Sequence, residues 1–434
     1  IVVQFSRNYM DGDDRQGAFM GGLCLTLAAV TLLILSGNLY HLVFAWIATS
    51  LALHRLLLFY PDRPNARVAG RKKFITARLG DALLIGAAVM LAQAFATTDI
   101  AAILEAARTA LAAGEVPAGV VPATLSIAVA ALLKSAQFPT HGWLAEVMET
   151  PTPVSALLHA GIINAGGFLV VRFADVMLLS VGSLHVLAIV GGFTALFGSI
   201  VMLTQTSVKV ALAYSTVAQM GFMLLQCGLG AFTAAVLHIV AHSLYKAHAF
   251  LASGSVIDLA RASWVPKAET RSRVGVLLAS VAGAVAIFLA TGWAVGFAVA
   301  EKPAILVLGA ILVMGLTLLL AQALEGRPQG YVVGRTLATG VLVAVVYFAL
   351  QTGAETLLAG TVPLAALTDA LTLGVMAAVV VAFAALTALQ ILAPYKADAP
   401  AWRRSYVAIA NGFYANAWFN RLVGALKRPR PAEI

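Results

Sequence analysis

The stretch LLKSAQFPTHGWLAEVMETPTPVSALLHAGIINAGGFLVVR, residues 132–172, places ionisable side chains in sequence that otherwise reads as membrane helix. Lys134 follows an uncharged run over residues 116–133, and Pro139 comes five residues later. Proline lacks a backbone N–H and kinks or ends a helix, so a helix break is predicted at Pro139. His159 lies inside the next apolar run. Because an ionisable group at membrane depth is costly, Lys134 and His159 are candidate functional residues.

The composition of the whole chain indicates a multi-pass membrane protein. Of its 434 residues 61% are hydrophobic and 11% are charged, whereas soluble domains carry about 25% charged residues. The net charge of +9 comes largely from residues 55–73, 267–273 and 403–430, which lie between or after apolar runs. This pattern predicts loops that face the cytoplasm and argues against a nucleic-acid partner. Cys24 and Cys227 lack the spacing of a disulfide framework or a metal knuckle.

Apolar runs long enough to cross about 30 Å of hydrocarbon recur along the chain and predict an all-α fold of about twelve spans or more. These runs are rich in small residues, which let helices pack closely in lipid. Residues 95–114 contain three charged side chains and predict a short amphipathic helix at the membrane interface. The predicted spans are residues 18–36, 39–59, 76–96, 118–138, 153–173, 183–204, 208–229, 231–257, 274–299, 303–323, 335–352 and 370–394.

The chain divides by composition into a helical bundle over residues 1–396 and a tail over residues 397–434. The tail is aromatic and basic and too polar to span, so it is predicted to be an amphipathic segment at the headgroup boundary or against a partner subunit. The first residue is Ile rather than Met, and we expect N-terminal helices to precede it.

Ionisable side chains within the apolar runs form three clusters, and each is a candidate site. The third cluster has the spacing i, i+4, i+8, which places its members on one face of a helix. The clusters are Lys134 with His141, Glu146 and His159; Lys209; and His238, His242 and Lys246 with His248, which is turned away from the face that the other three share.

Two chemistries are open for the cluster of His238, His242 and Lys246. Histidines at i, i+4 can share a zinc ion, but no acid accompanies them and lysine is not a usual ligand, so no metal site is predicted. A proton or ion path is the favoured interpretation, because a buried His or Lys can exchange a proton near neutral pH. The alternative is that these histidines hydrogen-bond backbone carbonyls at a broken helix.

Acidic residues at membrane depth are few, and two of them follow an arginine at the i, i+3 spacing. Arg78 with Asp81, and Arg172 with Asp175, are therefore predicted to form intrahelical ion pairs. For Asp81 a structural role and a role in transport both stay open.

Three long segments carry a resemblance to a known family. Residues 134–161 and the segments VKVALAYSTVAQMGFM (208–223) and AVLHIVAHSLYKAHAFLASGSVI (235–257) resemble successive signatures of the proton-translocating antiporter-like family. That family includes the L-type subunit of respiratory complex I and the large subunit of Mrp sodium/proton antiporters. The resemblance implies two inverted repeats of five helices, each with a broken helix at the midplane.

The resemblance also implies roles for individual residues. Lys134 matches the central lysine of the first half-channel, Pro139 the helix break, and His159 the neighbouring histidine. The residues matching the polar axis between half-channels, along which H⁺ or Na⁺ charge passes, are Lys209, His238, His242 and Lys246. The accessory candidates are His141, Asp81, Arg78 and Glu146.

The sequence departs from this family at two functional positions. Where the family has a glutamate after a tryptophan, this chain has Ile47 after Trp46. An anionic neighbour lowers the cost of protonating a buried lysine, so either the mechanism differs or Asp81 or a partner's acid substitutes. At the second broken helix the chain offers only Glu301 and Lys302, displaced toward the end of the span.

One branch of the family, the DabB branch, is similar to this chain in these departures and in having a short tail in place of a long lateral helix. The segments LALHRLL (51–57) and ANGFYANAWFNRL (410–422) also resemble that branch. Its members are membrane subunits of inorganic-carbon accumulation complexes. The resemblance implies a DabA-type partner, a zinc protein resembling a β-carbonic anhydrase, that hydrates CO₂ to bicarbonate. The membrane subunit would pass H⁺ or Na⁺ and hold no cofactor or hydration chemistry of its own. The alternatives are a pumping subunit of complex I or a membrane-bound hydrogenase, an Mrp-type antiporter, and a non-conducting anchor for a partner.

Overall fold

The computed structural model describes residues 2–254, 274–296, 302–324, 330–392 and 400–425. Throughout these ranges the regular structure is helical, apart from one isolated bridge between Asn38 and Asp99. Within the described ranges nine helices are long and apolar enough to cross a membrane. The predicted all-α, multi-pass fold is therefore confirmed, while the inverted relation of its repeats stays a prediction.

The chain forms two units, which we describe separately. The first comprises Ile1–Leu225, Ile239–Gly254 and Tyr406–Ile434, and the second comprises Gln226–His238 and Ser255–Ser405. The helices up to residue 202 belong to the first unit. They are α1 (Val2–Tyr9), α2 (Gln16–Ile34), α3 (Leu39–Leu57), α4 (Pro64–Phe95), α5 (Ile100–Ala113), α6 (Val120–Lys134), α7 (Gly142–Glu146), α8 (Thr152–Ala160), α9 (Ala165–Arg172), α10 (Ala174–Leu178) and α11 (Val181–Met202).

The remaining helices complete the chain. Those from residue 274 to residue 392 belong to the second unit. In chain order they are α12 (Val208–Gly228), α13 (Phe232–Leu251), α14 (Val274–Ala294), α15 (Pro303–Leu324), α16 (Gly330–Leu357), α17 (Ala370–Leu392), α18 (Pro400–Ala410) and α19 (Ala415–Ala425).

Every predicted span contains a helix, and the largest difference in bounds concerns α4. This helix begins at Pro64, well before the predicted residue 76, so Lys72 and Lys73 lie inside it and are buried. The prediction that residues 55–73 form a loop is wrong for these two lysines. The physical reason is that each ammonium has a polar partner, which offsets the cost of removing it from water. The Lys72 ammonium donates to the carboxylate of Glu146, and the Lys73 ammonium donates to the carbonyl of Ser50.

The helix break predicted around Pro139 is confirmed. Helix α6 ends at Lys134, Ala136 adopts a left-handed conformation with φ of 50°, and the Phe138–Pro139 peptide is cis. Polar groups within the protein satisfy part of this irregular backbone, as burial away from water requires. The Phe138 N–H donates to the hydroxyl of Thr194 at 3.2 Å.

A second interruption divides the apolar segment Thr152–Arg172. Helices α8 and α9 are separated there by a 3₁₀ turn over Ile162–Asn164. The side-chain amide of Asn164 donates to the carbonyl of Ala160 at 2.9 Å and to the hydroxyl of Ser243 at 3.1 Å. A side chain thus replaces part of the hydrogen bonding that the turn removes from the helix.

Helices α11 and α12 approach closely through glycines. A Cβ at Gly221 would lie 2.5 Å from the backbone nitrogen of Ala195, and one at Gly191 would lie 2.7 Å from the carbonyl oxygen of Gly221. A Cβ at Gly198 would lie 2.7 Å from the backbone nitrogen of Ala218. This is the close packing that small residues permit between membrane helices.

Two regions predicted to be amphipathic helices are helical. Helix α5 lies within residues 95–114, and α18 and α19 lie within the tail. Residues 397–399 and 426–434 of the tail lie outside the described residues. The boundary at residue 396 and the membrane-surface placement of these helices stay predictions.

Candidate functional site

Lys134 is the last residue of α6 and directly precedes the helix break. Its ammonium is 4.2 Å from the centroid of the Trp46 ring and 3.5 Å from the Trp46 carbonyl oxygen. An aromatic face attracts a cation through its quadrupole, and the carbonyl adds a hydrogen-bond acceptor. The residue that the sequence singled out therefore has a partner from α3, although that partner is not a carboxylate.

A small cavity lies beside Lys134. Its volume of about 20 Å³ accommodates about one water molecule. Lys73 of α4 lines the same cavity, with the hydroxyl-bearing residues Ser50 and Thr76. The Lys73 ammonium donates to the Ser50 carbonyl and lies 3.0 Å from the Ser50 hydroxyl oxygen. Two lysines therefore share one small cavity whose lining is otherwise largely apolar.

Sequence reasoning missed Lys73, because its position beside Lys72 and after several arginines resembles a cytoplasmic loop. One signal pointed the other way. No glycine cap or proline separates Lys73 from the following apolar run, so the helix of that run can extend back through it.

Arg78 and Asp81 form the predicted intrahelical ion pair. The shortest distance between guanidinium nitrogen and carboxylate oxygen is 2.6 Å, and the Asp81 side chain is 6% exposed. A buried carboxylate with an arginine partner avoids the penalty of an unpaired charge. The predicted intrahelical ion pair is therefore formed, and a role of Asp81 in transport stays a prediction.

The predicted pair of Arg172 and Asp175 is wrong. Asp175 instead pairs with Arg108 of α5, with 3.2 Å between the Arg108 Nε and the carboxylate oxygen. Arg172 donates to the carbonyl of Ser36 at 3.2 Å. The cause is tertiary, because α5 packs against α10 and brings a second arginine to the carboxylate. The helix also changes at Phe173, so the i, i+3 geometry is not continuous.

Glu146 lies at the centre of a network that reaches the tail. Its carboxylate is 2.7 Å from the ammonium of Lys72, which is fully buried. Lys72 also donates to the side-chain oxygen of Asn416 at 2.8 Å, and the amides of Asn416 and Asn420 donate to Glu146. A Cβ at Gly142 would lie 1.8 Å from the Asn416 oxygen. Helix α19 therefore docks on α4 and α7 of its own chain.

His141 is fully buried in an aromatic cage. The centroid of its ring lies 4.7 Å from that of Phe197, 5.7 Å from that of Phe138 and 6.2 Å from that of Tyr214. In the described part of the chain, neither ring nitrogen has a hydrogen-bond partner. This predicted accessory residue therefore packs as an aromatic side chain beside the helix break.

Two predicted path residues connect α8 with α12. The Nδ1 atom of His159 lies 3.0 Å from the Thr216 hydroxyl, and its ring stacks on Phe250 at 4.3 Å. The ammonium of Lys209 donates to the Thr152 hydroxyl at 3.1 Å. The structure thus places both residues at the same helix pair, each with a hydroxyl partner.

The cluster of His238, His242 and Lys246 lies on α13, as the spacing predicts. Lys246 is fully buried and donates to the carbonyl of Leu212 on α12 at 3.1 Å. His238 Nδ1 lies 2.9 Å from the Gln226 side-chain oxygen. Within the described residues no group of three or more His, Cys, Asp or Glu side chains is arranged to hold a metal ion.

The second unit contains a polar cavity of its own. Lys302 pairs with Glu355 at 2.6 Å, and the Gln351 amide donates to the same carboxylate at 2.9 Å. All three line a cavity of about 200 Å³. Glu301, the acid that the sequence offered here, lies outside the described residues. Glu355 was missed because its pairing joins residues 53 positions apart.

The interrupted helix, the buried lysines and the many apolar helices define a multi-pass membrane protein of the ion-translocating type. Residues 36–263 match the family described as NADH:quinone oxidoreductase/Mrp antiporter, TM. The chain belongs to this family. Its members are membrane subunits of the transporter and antiporter type.

Two curated relatives and one solved structure give the extent of the similarity. The probable inorganic carbon transporter subunit DabB2 of Halothiobacillus neapolitanus is 37% identical over 97% of this chain and 76% of its own length. NADH-quinone oxidoreductase subunit L of Escherichia coli is 36% identical over 59% of this chain and 42% of its own length. A chain of the Mrp complex from Dietzia sp. DQ12-45-1b aligns with a TM-score of 0.59 and 23% identity.

The chain spans only part of each of these proteins. The alignment includes 99% of this chain but only 51% of the aligned Mrp chain. Because the two sequences are 23% identical, the likeness concerns the fold alone. Both curated relatives are described as subunits. The similarity therefore supports a membrane subunit of a multi-subunit assembly.

Proposed function

We propose that the protein is a cation-conducting membrane subunit, for H⁺ or Na⁺, that energises inorganic-carbon uptake in a bacterial inner membrane. A DabA-type zinc partner would hydrate CO₂ to bicarbonate, and this chain would hold neither a cofactor nor a catalytic site. One observation carries the proposal. The similarity to the DabB2 subunit extends over 97% of the chain, whereas that to subunit L covers 59%.

The geometry around Lys134 supports conduction. Lys134 is the last residue of α6, the end of the helix at which the helix dipole favours a cation. The cation–π contact with Trp46 stabilises the charged form, and the partial burial of Lys134 opposes it. A lysine held between these opposing effects is suited to gain and lose a proton during transport.

Further amines and imidazoles continue from Lys134 through the first unit. His159 and Lys209 each contact a hydroxyl between α8 and α12, and Lys246 reaches the backbone of α12 from α13. Hydroxyls and carbonyls can accept hydrogen bonds from a protonated side chain at each position. These contacts support a path that includes His159, Lys209 and Lys246 as well as Lys134, and His242 and His238 lie on the same helix as Lys246.

Co-purification tests the nature of the assembly. The full-length protein, tagged and extracted from its native membrane in mild detergent, is expected to retain a large zinc-containing soluble partner. Zinc is measured in the purified complex by mass spectrometry. A redox arm in its place would contradict the proposal and favour a complex I or hydrogenase-like pump. A set of small membrane subunits would favour an Mrp-type antiporter.

Growth in air tests conduction. Cells that depend on this complex for carbon uptake are expected to stop growing without added CO₂ when they carry Lys134→Ala, and to recover when CO₂ is supplied. Arg67→Gln is the matched control, because the Arg67 side chain is 64% exposed at the start of α4. Normal growth of the Lys134→Ala cells in air would rule out conduction through Lys134 and leave the anchoring alternative.

A further inference from the structure

Lys73 is a buried lysine to which the proposed path assigns no role. It lies on α4, is 5% exposed, and lines the same cavity of about 20 Å³ as Lys134. Among the described residues, the hydrogen bonds of its ammonium go to the carbonyl and hydroxyl of Ser50. Two amines on different helices therefore face one space that accommodates about one water molecule.

The surroundings of the two amines make their charges interdependent. None of the described residues that line the cavity is acidic. The nearby titratable or charged groups are His54 on α3 and the Arg78–Asp81 pair on α4, and in that pair the carboxylate is already engaged. Like charges in a poorly solvated space oppose each other strongly, so protonation of one amine disfavours protonation of the other.

The contacts of Lys73 suit both of its protonation states. The Ser50 carbonyl accepts a hydrogen bond from the ammonium or from the neutral amine. The Ser50 hydroxyl can donate its proton to the lone pair of the neutral amine. Lys73 therefore keeps hydrogen-bond partners whether or not it carries the proton, as a group that exchanges protons requires.

We propose that Lys73 and Lys134 form a coupled pair that holds one exchangeable proton, which makes Lys73 a residue that sets when Lys134 binds and releases its proton. A proton arriving on Lys73 promotes release of the proton from Lys134, and release from Lys73 allows Lys134 to be protonated again. The second amine thus adjusts Lys134 in a cavity whose described lining contains no carboxylate. This inference rests on the proposed conduction through Lys134.

The test compares two substitutions of Lys73 with opposite effects on charge. The complete complex is purified and reconstituted into proteoliposomes, and H⁺ and Na⁺ flux is measured from pH 5 to pH 10. We call the pH above which flux is lost the alkaline limit. Lys73→Gln keeps a donor for Ser50 but removes the competing charge, so the alkaline limit of flux is expected to rise by roughly one pH unit. Lys73→Arg keeps a permanent charge, so the alkaline limit is expected to fall by roughly the same amount.

A purely structural role would not move the two variants in opposite directions. Arg67→Gln, which removes an exposed positive charge from the same helix, serves as the control and is expected to leave the profile unchanged. Unchanged profiles, or shifts in the same direction, would overturn the proposal. If Lys73→Arg does not fold, as judged by gel filtration, an unchanged or lowered alkaline limit in Lys73→Gln would overturn it alone. Wild-type flux in Lys134→Ala would instead show that the proposed conduction has failed.

Discussion

The ammonium of Lys134 lies 4.2 Å from the ring centroid of Trp46, although the two residues are 88 positions apart in the chain. Trp46 is 1% exposed, so the ring that faces the lysine is itself buried. The next residue is Ile47, at the position where the resemblance to the antiporter-like family predicts a glutamate. An aromatic quadrupole attracts a cation but carries no net charge, so it favours the protonated lysine less strongly than a carboxylate does.

Replacing Trp46 is expected to weaken the protonated form of Lys134. The cation–π contact contributes about 0.5–2 kcal/mol, and about 1.4 kcal/mol corresponds to one pH unit. In Trp46→Leu the alkaline limit of cation flux is therefore expected to fall by about one pH unit. Trp46→Phe retains a ring and is expected to show a smaller change. The measurement is flux against pH in proteoliposomes, and a profile of Trp46→Leu identical to wild type would contradict the role of the ring.

The Lys72–Glu146 pair is expected to be a major determinant of stability. Lys72 is fully buried, so Glu146→Ala leaves an uncompensated charge, which costs about 3–5 kcal/mol. The double variant Lys72→Met with Glu146→Leu removes both charges and is expected to recover most of that loss. The thermal unfolding midpoint of the purified protein in detergent measures both effects.

The exposed pair of Asp62 and Arg67 provides the control for that experiment. Its side chains are 99% and 64% exposed, and such pairs contribute about 0–1 kcal/mol. Asp62→Asn is therefore expected to leave the unfolding midpoint nearly unchanged. If the double variant is no more stable than Glu146→Ala, desolvation of Lys72 is not the dominant cost.

Gly221→Ala is expected to disrupt the contact between α11 and α12. Its Cβ would lie 2.5 Å from the backbone nitrogen of Ala195, and backbone cannot move aside as a flexible side chain can. Overpacking of this kind costs about 1–3 kcal/mol. Gly182→Ala on α11 has no atom within 4 Å of the added methyl and serves as the matched control. The thermal unfolding midpoint of each variant tests the contact, and equal midpoints for the two would refute it.

Local features of the sequence predicted much of the site. Hydropathy located the helices, because burial in hydrocarbon depends on composition over about 20 residues. Proline chemistry located the break after Lys134, and i, i+3 spacing located the Arg78–Asp81 pair. Each of these signals acts over a few helical turns, so one stretch of chain contains all the information it needs.

The failures arose where one charge meets another from a distant part of the chain. The spacing of Arg172 and Asp175 predicted a pair, but α5 supplied Arg108. The tail pattern predicted a surface helix or partner contact, and it did not reveal that Asn416 binds Lys72. Neither pairing has a local signature, because its energy depends on two helices meeting in space.

The sequence by itself determined a multi-pass helical protein of this family, with Lys134 at a helix break and His238, His242 and Lys246 on one helix. Only the tertiary structure decided which buried charges have partners. It placed Lys73 beside Lys134, Trp46 over that lysine, and Glu146 between Lys72 and the tail. The physical reason is that hydropathy and helical periodicity are local, whereas a buried charge is stabilised by whichever polar group the packing of distant helices brings to it.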